Sequence, residues 1–137
     1  MSAARASPGA DWRWLAAAAL AGGASVAGFG DWNLFPLPLV ALGLLFFAWA
    51  RSSAPRAAAG LGLAYGAGLF LVGVSWVYVS LHDFGMMPAP LAATATLLFC
   101  LYLALFPAAV GYLQARIPVA LPLRLMLVMP ALWTLAE

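Results

Sequence analysis

Long apolar stretches separated by short polar connections divide this chain of 137 residues. The apolar stretches cover residues 14–29, 34–50, 60–81, 91–113 and 125–137. A bilayer core about 30 Å thick needs roughly 20 helical residues, so the third and fourth stretches predict full spans. The first two are shorter, and the residues "GDWN" between them predict a short helical hairpin. The pattern predicts an all-α, polytopic transmembrane helix bundle of about five helices, the fifth truncated.

The composition supports this prediction because too few charges are present to cover a water-facing surface. The chain is 66% hydrophobic and 7% charged, whereas a soluble domain carries about 25% charged residues. Its mean hydropathy is +1.03. The net charge of +2 comes from widely spaced arginines that form no basic patch, which argues against a nucleic-acid partner. Membrane lipids are the expected surroundings.

All six cationic side chains are arginines, and they occupy alternate connections: Arg5, Arg13, Arg51, Arg56, Arg116 and Arg124. The remaining connections, 30–33 and 82–90, contain acidic residues and one histidine but no arginine. Cytoplasmic loops carry the excess of basic residues. We therefore expect residues 1–13 to form a cytoplasmic tail and residues 82–90 to face outward. Residues 1–27 also fit a signal peptide that would be cleaved after "SVA", although the arginine alternation requires the first span to be retained.

Small residues on the third stretch predict close helix packing. Gly62, Gly66, Gly73 and Ser80 share one stripe at 100° per residue. A small-xxx-small pair such as Gly62 and Gly66 allows another helix to approach closely. The alternative is that these glycines reflect only the general frequency of glycine in membrane helices.

Candidate chemistry is sparse. The kinase-like tripeptide "DFG" at 83–85 lacks both a lysine and an H-R-D loop, so it is a chance match. His82, Asp83 and Cys100 are residue types found in thiol nucleophile sites. However, Cys100 should lie about 13 Å inside the fourth helix, out of reach of an outer-loop histidine. One histidine, one cysteine and four scattered acidic residues offer no pair of metal ligands at a useful spacing. We therefore predict no catalytic, cofactor or metal site in this chain.

Several segments resemble the apolipoprotein N-acyltransferases. The most specific block is "WVYVSLHDFGMMP", which runs from Trp76 through Tyr78, His82, Asp83, Phe84, Met86 and Met87 to Pro88. The ending "MPALWTLAE" is similar to the fifth helix of that family, and "FGDWNLFPLPLVALG", residues 29–43, is similar to its first hairpin. Together these segments extend the resemblance over most of the chain.

The resemblance implies a bacterial inner-membrane enzyme that works on the periplasmic side. Such enzymes move an acyl chain from phospholipid to the N-terminal diacylglyceryl-cysteine of a lipoprotein. A nitrilase-like domain with a Glu-Lys-Cys triad, held by about eight transmembrane helices, forms a thioester intermediate. Phospholipid donor and lipoprotein acceptor are thus the implied partners. The implied oligomeric state stays open.

This chain departs from the family pattern because it has no lysine, and Cys100 does not match the catalytic motif. We therefore expect an N-terminal portion that anchors the catalytic domain and is inactive alone. The 76–87 residues named above would then form a lipid-entry or domain-contact loop, and His82-Asp83 a helix exit. An alternative is a small multi-pass transporter or channel subunit, although no span carries an ionisable residue deep in the bilayer.

Overall fold

A computed structural model describes residues 11–29, 34–52 and 54–136. The elements in chain order are α1 (Trp12–Ser25), a 3-10 turn (Val26–Phe29), α2 (Pro36–Arg51), α3 (Pro55–Gly73), α4 (Trp76–Val79), a π-turn (Ser80–Phe84), α5 (Ala89–Arg116), α6 (Leu121–Leu123), a second π-turn (Arg124–Val128) and α7 (Met129–Ala136). No strand occurs within these ranges. The predicted all-α bundle is thereby confirmed. The "GDWN" connection and most of the predicted tail, including Arg5, lie outside the described residues.

Prolines mark the starts of several helices. Pro36 and Pro55 occupy the first turn of α2 and α3. A proline there does little harm because its missing N–H would have no partner within the helix. Helix α3 accordingly begins at Pro55, ahead of the predicted Gly60. At α1, the side chain of Asp11 instead accepts a hydrogen bond from the Arg13 amide at 3.1 Å, which is an ordinary N-cap.

The third predicted span is divided in the structure. Helix α3 ends at Gly73, and a new helical turn begins at Trp76. At this break the backbone of Val74 leaves the helical region, with φ −110° and ψ 8°. The hydroxyl of Ser75 donates to the carbonyl of Val72 at 3.0 Å, which supplies that carbonyl with a partner at the break. The C-terminal part of the predicted span is therefore a separate short unit, α4 and its π-turn.

Helix α3 is the central element, with α1 on one side and α5 on the other. Helices α1 and α3 are parallel, since Gly22 lies against Tyr65 and Gly23 against Val72. Helix α5 is antiparallel to α3, so that Gly111 lies against Ala58 and Cys100 lies beside Phe70 near the other end. The arginines at the start of α1 and α3 and at the end of α2 and α5 therefore share one end of the bundle.

Aromatic side chains join the flanking helices to this centre. Trp133 of α7 lies 6.3 Å from Phe46, 6.4 Å from Trp49 and 6.0 Å from Tyr65, measured between ring centroids. Trp49 also donates from Nε1 to the carbonyl of Ala58 at 2.8 Å. Aromatic pairs at such distances contribute about 0.5–1.5 kcal/mol beyond their buried area. The cluster ties α2 and α7 to α3.

Two of the described helices are long and apolar enough to cross a membrane, namely α3 with 19 residues and α5 with 28. Helix α2 and the segment Leu121–Ala136 are apolar but shorter. At about 1.5 Å per residue, α5 is roughly 42 Å long. This length matches a whole bilayer with its headgroups, which is about 40–45 Å thick.

Candidate functional site

The turn after α4, residues 80–88, has an unusual backbone that positions most of the predicted loop residues. The π-turn closes with a hydrogen bond from the Gly85 amide to the Ser80 carbonyl at 2.9 Å. The amide of Met87 then reaches back to the carbonyl of Leu81 at 3.1 Å. Between these two bonds Met86 adopts φ 53°, in the left-handed region that residues other than glycine rarely use. We call residues 80–88 the outer turn, because they lie at the end of the bundle that is opposite the arginines of α1, α3 and α5.

His82 is held on two sides within the outer turn. Its Nδ1 lies 2.9 Å from the carbonyl oxygen of Met87. Its ring stacks on Tyr78, with centroids 5.5 Å apart and an angle of 26° between the planes. A carbonyl oxygen only accepts hydrogen bonds, so Nδ1 must carry the proton in this contact. His82 is therefore a structural contact of the turn, and its neighbour Asp83 is exposed.

Three large apolar side chains at this end of the bundle are exposed. Phe84 is 84% exposed, Met86 85% and Trp76 64%. Large apolar side chains such as Leu20, Met126 and Leu135 are exposed elsewhere on the bundle too, so the three at this end continue an apolar surface that indicates contact with lipid or a partner. We call these three residues the outer apolar surface. The sequence placed all three in the candidate loop, and the structure brings them to the same end.

Cys100 lies in the interior of α5 and is fully buried. Its Sγ is 3.4 Å from the carbonyl oxygen of Phe70, a contact between α5 and α3. Cys100 is eleven helical steps from the start of α5 at Ala89, which corresponds to a depth of about 16 Å. His82, at the outer turn, contacts Met87 and Tyr78 instead. The described part of the chain also contains no group of three potential metal ligands.

The glycines of the predicted stripe have different neighbours. A Cβ added to Gly62 would meet the carbonyl of Pro107, and one on Gly66 would lie 2.9 Å from Cα of Ala104. Both glycines therefore face α5 at backbone distance. Gly73 is exposed and faces Val26 at 3.4 Å. Ser80 begins the π-turn. The structure brings Gly62 and Gly66 to one interface and places Gly73 and Ser80 elsewhere.

Sequence reasoning missed a second close crossing, between α1 and α3. A Cβ on Gly22 would meet the carbonyl of Tyr65, and one on Gly68 would meet the carbonyl of Ala19. The paired glycines at 22 and 23 and the many glycines of α3 were the available signal. They indicate that α3 packs through glycine on two faces, which fixes it firmly between its neighbours.

A cavity of about 470 Å³ opens between α3, α5 and α7. Its walls include Leu69, Leu103, Phe106 and Trp133. The described residues that line it are mostly apolar, and none of them is charged. The cavity is suited to a hydrocarbon group, and among the described residues only Tyr102 brings a hydroxyl group to its wall.

Comparison with protein families gives a match to the apolipoprotein N-acyltransferase N-terminal domain over residues 21–137. This range includes α2 to α7 and the whole outer turn. The match is to the same family that the Trp76–Pro88 block resembles, so the sequence-based resemblance is confirmed.

Curated relatives agree with this match. An apolipoprotein N-acyltransferase of Nitrosomonas europaea is 48% identical over 130 residues, covering 92% of this chain and 25% of the relative. One of Chromobacterium violaceum is 40% identical over 90% of this chain and 23% of the relative. One of Methylococcus capsulatus is 42% identical over 81% of this chain and 21% of the relative. The chain thus spans about a quarter of the length of the relatives it matches.

Proposed function

The chain belongs to the apolipoprotein N-acyltransferase family, and we propose that it forms the membrane-embedded part of such an enzyme. In this proposal the whole enzyme transfers an acyl chain from phospholipid to the N-terminal diacylglyceryl-cysteine of a lipoprotein. The helices of this chain anchor and orient the catalytic domain. The reacting groups belong to the part of the relatives that this chain does not match.

Two observations together support the proposal: the family match, and the burial of Cys100, whose thiol has no access to substrate. Acyl transfer through a covalent intermediate needs an accessible nucleophile with a base nearby. Cys100 is fully buried between α5 and α3, and the chain contains no lysine. A scaffold role is consistent with both facts, whereas catalysis by these residues is not.

A scaffold must hold its outer end in a fixed orientation, and the packing of α3 supports this. Gly62 and Gly66 bring α3 to backbone distance from α5, and Gly22 and Gly68 do the same toward α1. Backbone-to-backbone crossings leave no flexible side chains between the helices. Helix α3 is therefore held closely by both neighbours up to its break at Val74, and the outer turn follows that break.

We further propose that the arginine-bearing end lies in the cytoplasm and the outer turn in the periplasm, at the bacterial inner membrane. The six arginines occupy alternate connections, and four of them, at 13, 51, 56 and 116, lie at one end of the helices. Positive charge is retained on the cytoplasmic side. The outer apolar surface then lies where the phospholipid donor and the lipoprotein acceptor meet the enzyme.

The experiment that tests this function is an acyl-transfer assay. Purified chain in micelles is incubated with phospholipid that carries a labelled acyl group and with a diacylated lipopeptide. We expect no labelled triacyl product from the chain alone. We expect product when the chain is co-expressed with the remaining C-terminal part of the Nitrosomonas europaea relative.

The control is the Cys100→Ala variant in the same co-expression, which we expect to be active. Product formed by the chain alone and abolished by Cys100→Ala would overturn the scaffold proposal. Loss of product from the co-expressed pair on Cys100→Ala, with the helices still folded, would assign the thiol a part in the reaction and would equally contradict it.

A further inference from the structure

We propose that His82 is a positioning residue: its Nδ1–H holds the carbonyl of Met87, fixes the left-handed backbone of Met86, and keeps the side chains of Phe84 and Met86 in membrane lipid. The lipid contact rests on the proposed function, which puts the outer turn at the membrane surface. The hydrogen bond from His82 and its effect on the backbone of the turn are independent of that function.

The backbone of the outer turn is where the need for such a residue arises. Met86 adopts φ 53°, which is unfavourable for any residue with a Cβ. The adjacent Gly85 could adopt this conformation freely, yet its φ is −82°. A Cβ at Gly85 would lie 2.7 Å from the carbonyl oxygen of Leu81. The glycine is thus required for close approach, and the methionine takes the unfavourable backbone.

An unfavourable backbone persists only where surrounding contacts hold it. Here both backbone groups of the residue after Met86 are held. The amide of Met87 donates to Leu81 at 3.1 Å, and its carbonyl accepts from His82 Nδ1 at 2.9 Å. The first bond joins backbone to backbone and is independent of side-chain identity. The second depends on His82, whose ring is kept in place by stacking on Tyr78.

The length of α5 indicates that lipid is what the outer apolar surface contacts. From Ala89 to Arg116 the helix has 28 residues, or roughly 42 Å at 1.5 Å per residue. A tilt of about 20°, average for membrane helices, shortens this to roughly 39 Å. With Arg116 at one polar boundary, the outer turn lies at the opposite boundary of a bilayer about 40–45 Å thick. Exposed Phe84 and Met86 at that level lie in the headgroup region, next to its border with the acyl chains.

Two substitutions of His82 with the same shape show whether the hydrogen bond, and not only the size of the side chain, holds the turn. Asparagine carries a donor on the same atom position as histidine Nδ1, whereas aspartate has the same shape but only acceptors there. His82→Asn therefore keeps the bond to the Met87 carbonyl, and His82→Asp loses it and sets an oxygen against an oxygen. Asp83→Asn, at the exposed neighbouring residue, is the matched control.

The five methionines of the chain supply the measurement. The protein is labelled with 13C at the methionine methyl groups and placed in phosphatidylcholine nanodiscs, with and without a phosphatidylcholine that carries a nitroxide near its headgroup. The Met86 signal is assigned by Met86→Leu. Met129, which is fully buried, reports whether the bundle remains folded in each variant.

We expect the nitroxide lipid to remove the Met86 methyl signal in the unchanged protein, His82→Asn and Asp83→Asn. In His82→Asp the Met86 signal should shift and survive the nitroxide, while the Met129 signal stays in place. An unchanged Met86 signal in His82→Asp, or equal effects of Asn and Asp, would overturn the positioning role. Survival of the Met86 signal in the unchanged protein would overturn the lipid contact. Neither result depends on acyl transfer, so the proposed function succeeds or fails separately.

Discussion

Replacing Gly62 by alanine should push helix α3 away from helix α5. The added Cβ would lie 2.7 Å from the carbonyl carbon of Pro107 and 3.0 Å from Cα of Ala108. Unstrained carbon atoms are about 3.5–4.0 Å apart. Both obstructing atoms belong to backbone, so no side-chain rotation removes the clash. Helices α3 and α5 must therefore move apart by close to 1 Å at this level.

The expected loss of stability combines two opposing effects. Overpacking a well-packed interface costs about 1–3 kcal/mol, and a gap of about 0.5–1 Å forfeits a quarter to a half of the local dispersion energy. Alanine gains up to about 1 kcal/mol over glycine in helix propensity. The net effect should lower the free energy of unfolding by about 1–2 kcal/mol. The Gly66→Ala variant should lose stability for the same reason, because Gly66 also faces α5.

Reversible unfolding in mixed detergent micelles, followed by circular dichroism, measures this difference. Gly43→Ala is the matched control because a Cβ at Gly43 meets nothing within 4 Å. The control should leave stability unchanged or slightly increased, since only the propensity gain remains. If Gly62→Ala and Gly43→Ala have the same free energy of unfolding, α3 and α5 do not cross at backbone distance and the packing argument fails.

Two further predictions concern orientation and the aromatic cluster. In a Cys100→Ala background, an impermeant thiol reagent added to intact spheroplasts should label a cysteine at position 83 and not one at position 56; the reverse pattern would contradict the proposed orientation. Trp49→Phe should keep part of the ring packing but lose the 2.8 Å bond to the buried Ala58 carbonyl, lowering the free energy of unfolding by about 1–3 kcal/mol. Trp76→Phe, at an exposed position, should have no effect in the same micelle titration, and equal losses for both would refute a special role for this bond.

The sequence alone was sufficient for the class of protein and its family. The low charge and the spacing of apolar stretches leave only membrane helices as a means of satisfying the backbone. Prolines are well tolerated at helix starts because their missing N–H has no partner there, yet the sequence prediction began the third span at Gly60 and the structure begins α3 at Pro55. The Trp76–Pro88 block identified the family, and it also contained the residues that form the outer turn. These features depend on local chemistry and can be read from neighbouring residues.

Only the tertiary structure decided which surfaces meet. Helical periodicity puts Gly62, Gly66 and Gly73 on one stripe, but it does not name the neighbour. Two crossing helices stay in contact over a limited length, so the first two glycines face α5 while Gly73 lies beside Val26. The sequence also gives no sign that Met86 adopts a left-handed backbone, because glycine favours that conformation and the adjacent Gly85 would be predicted to adopt it. The close approach of Leu81 to Gly85, a contact set by the folded turn, reverses that choice.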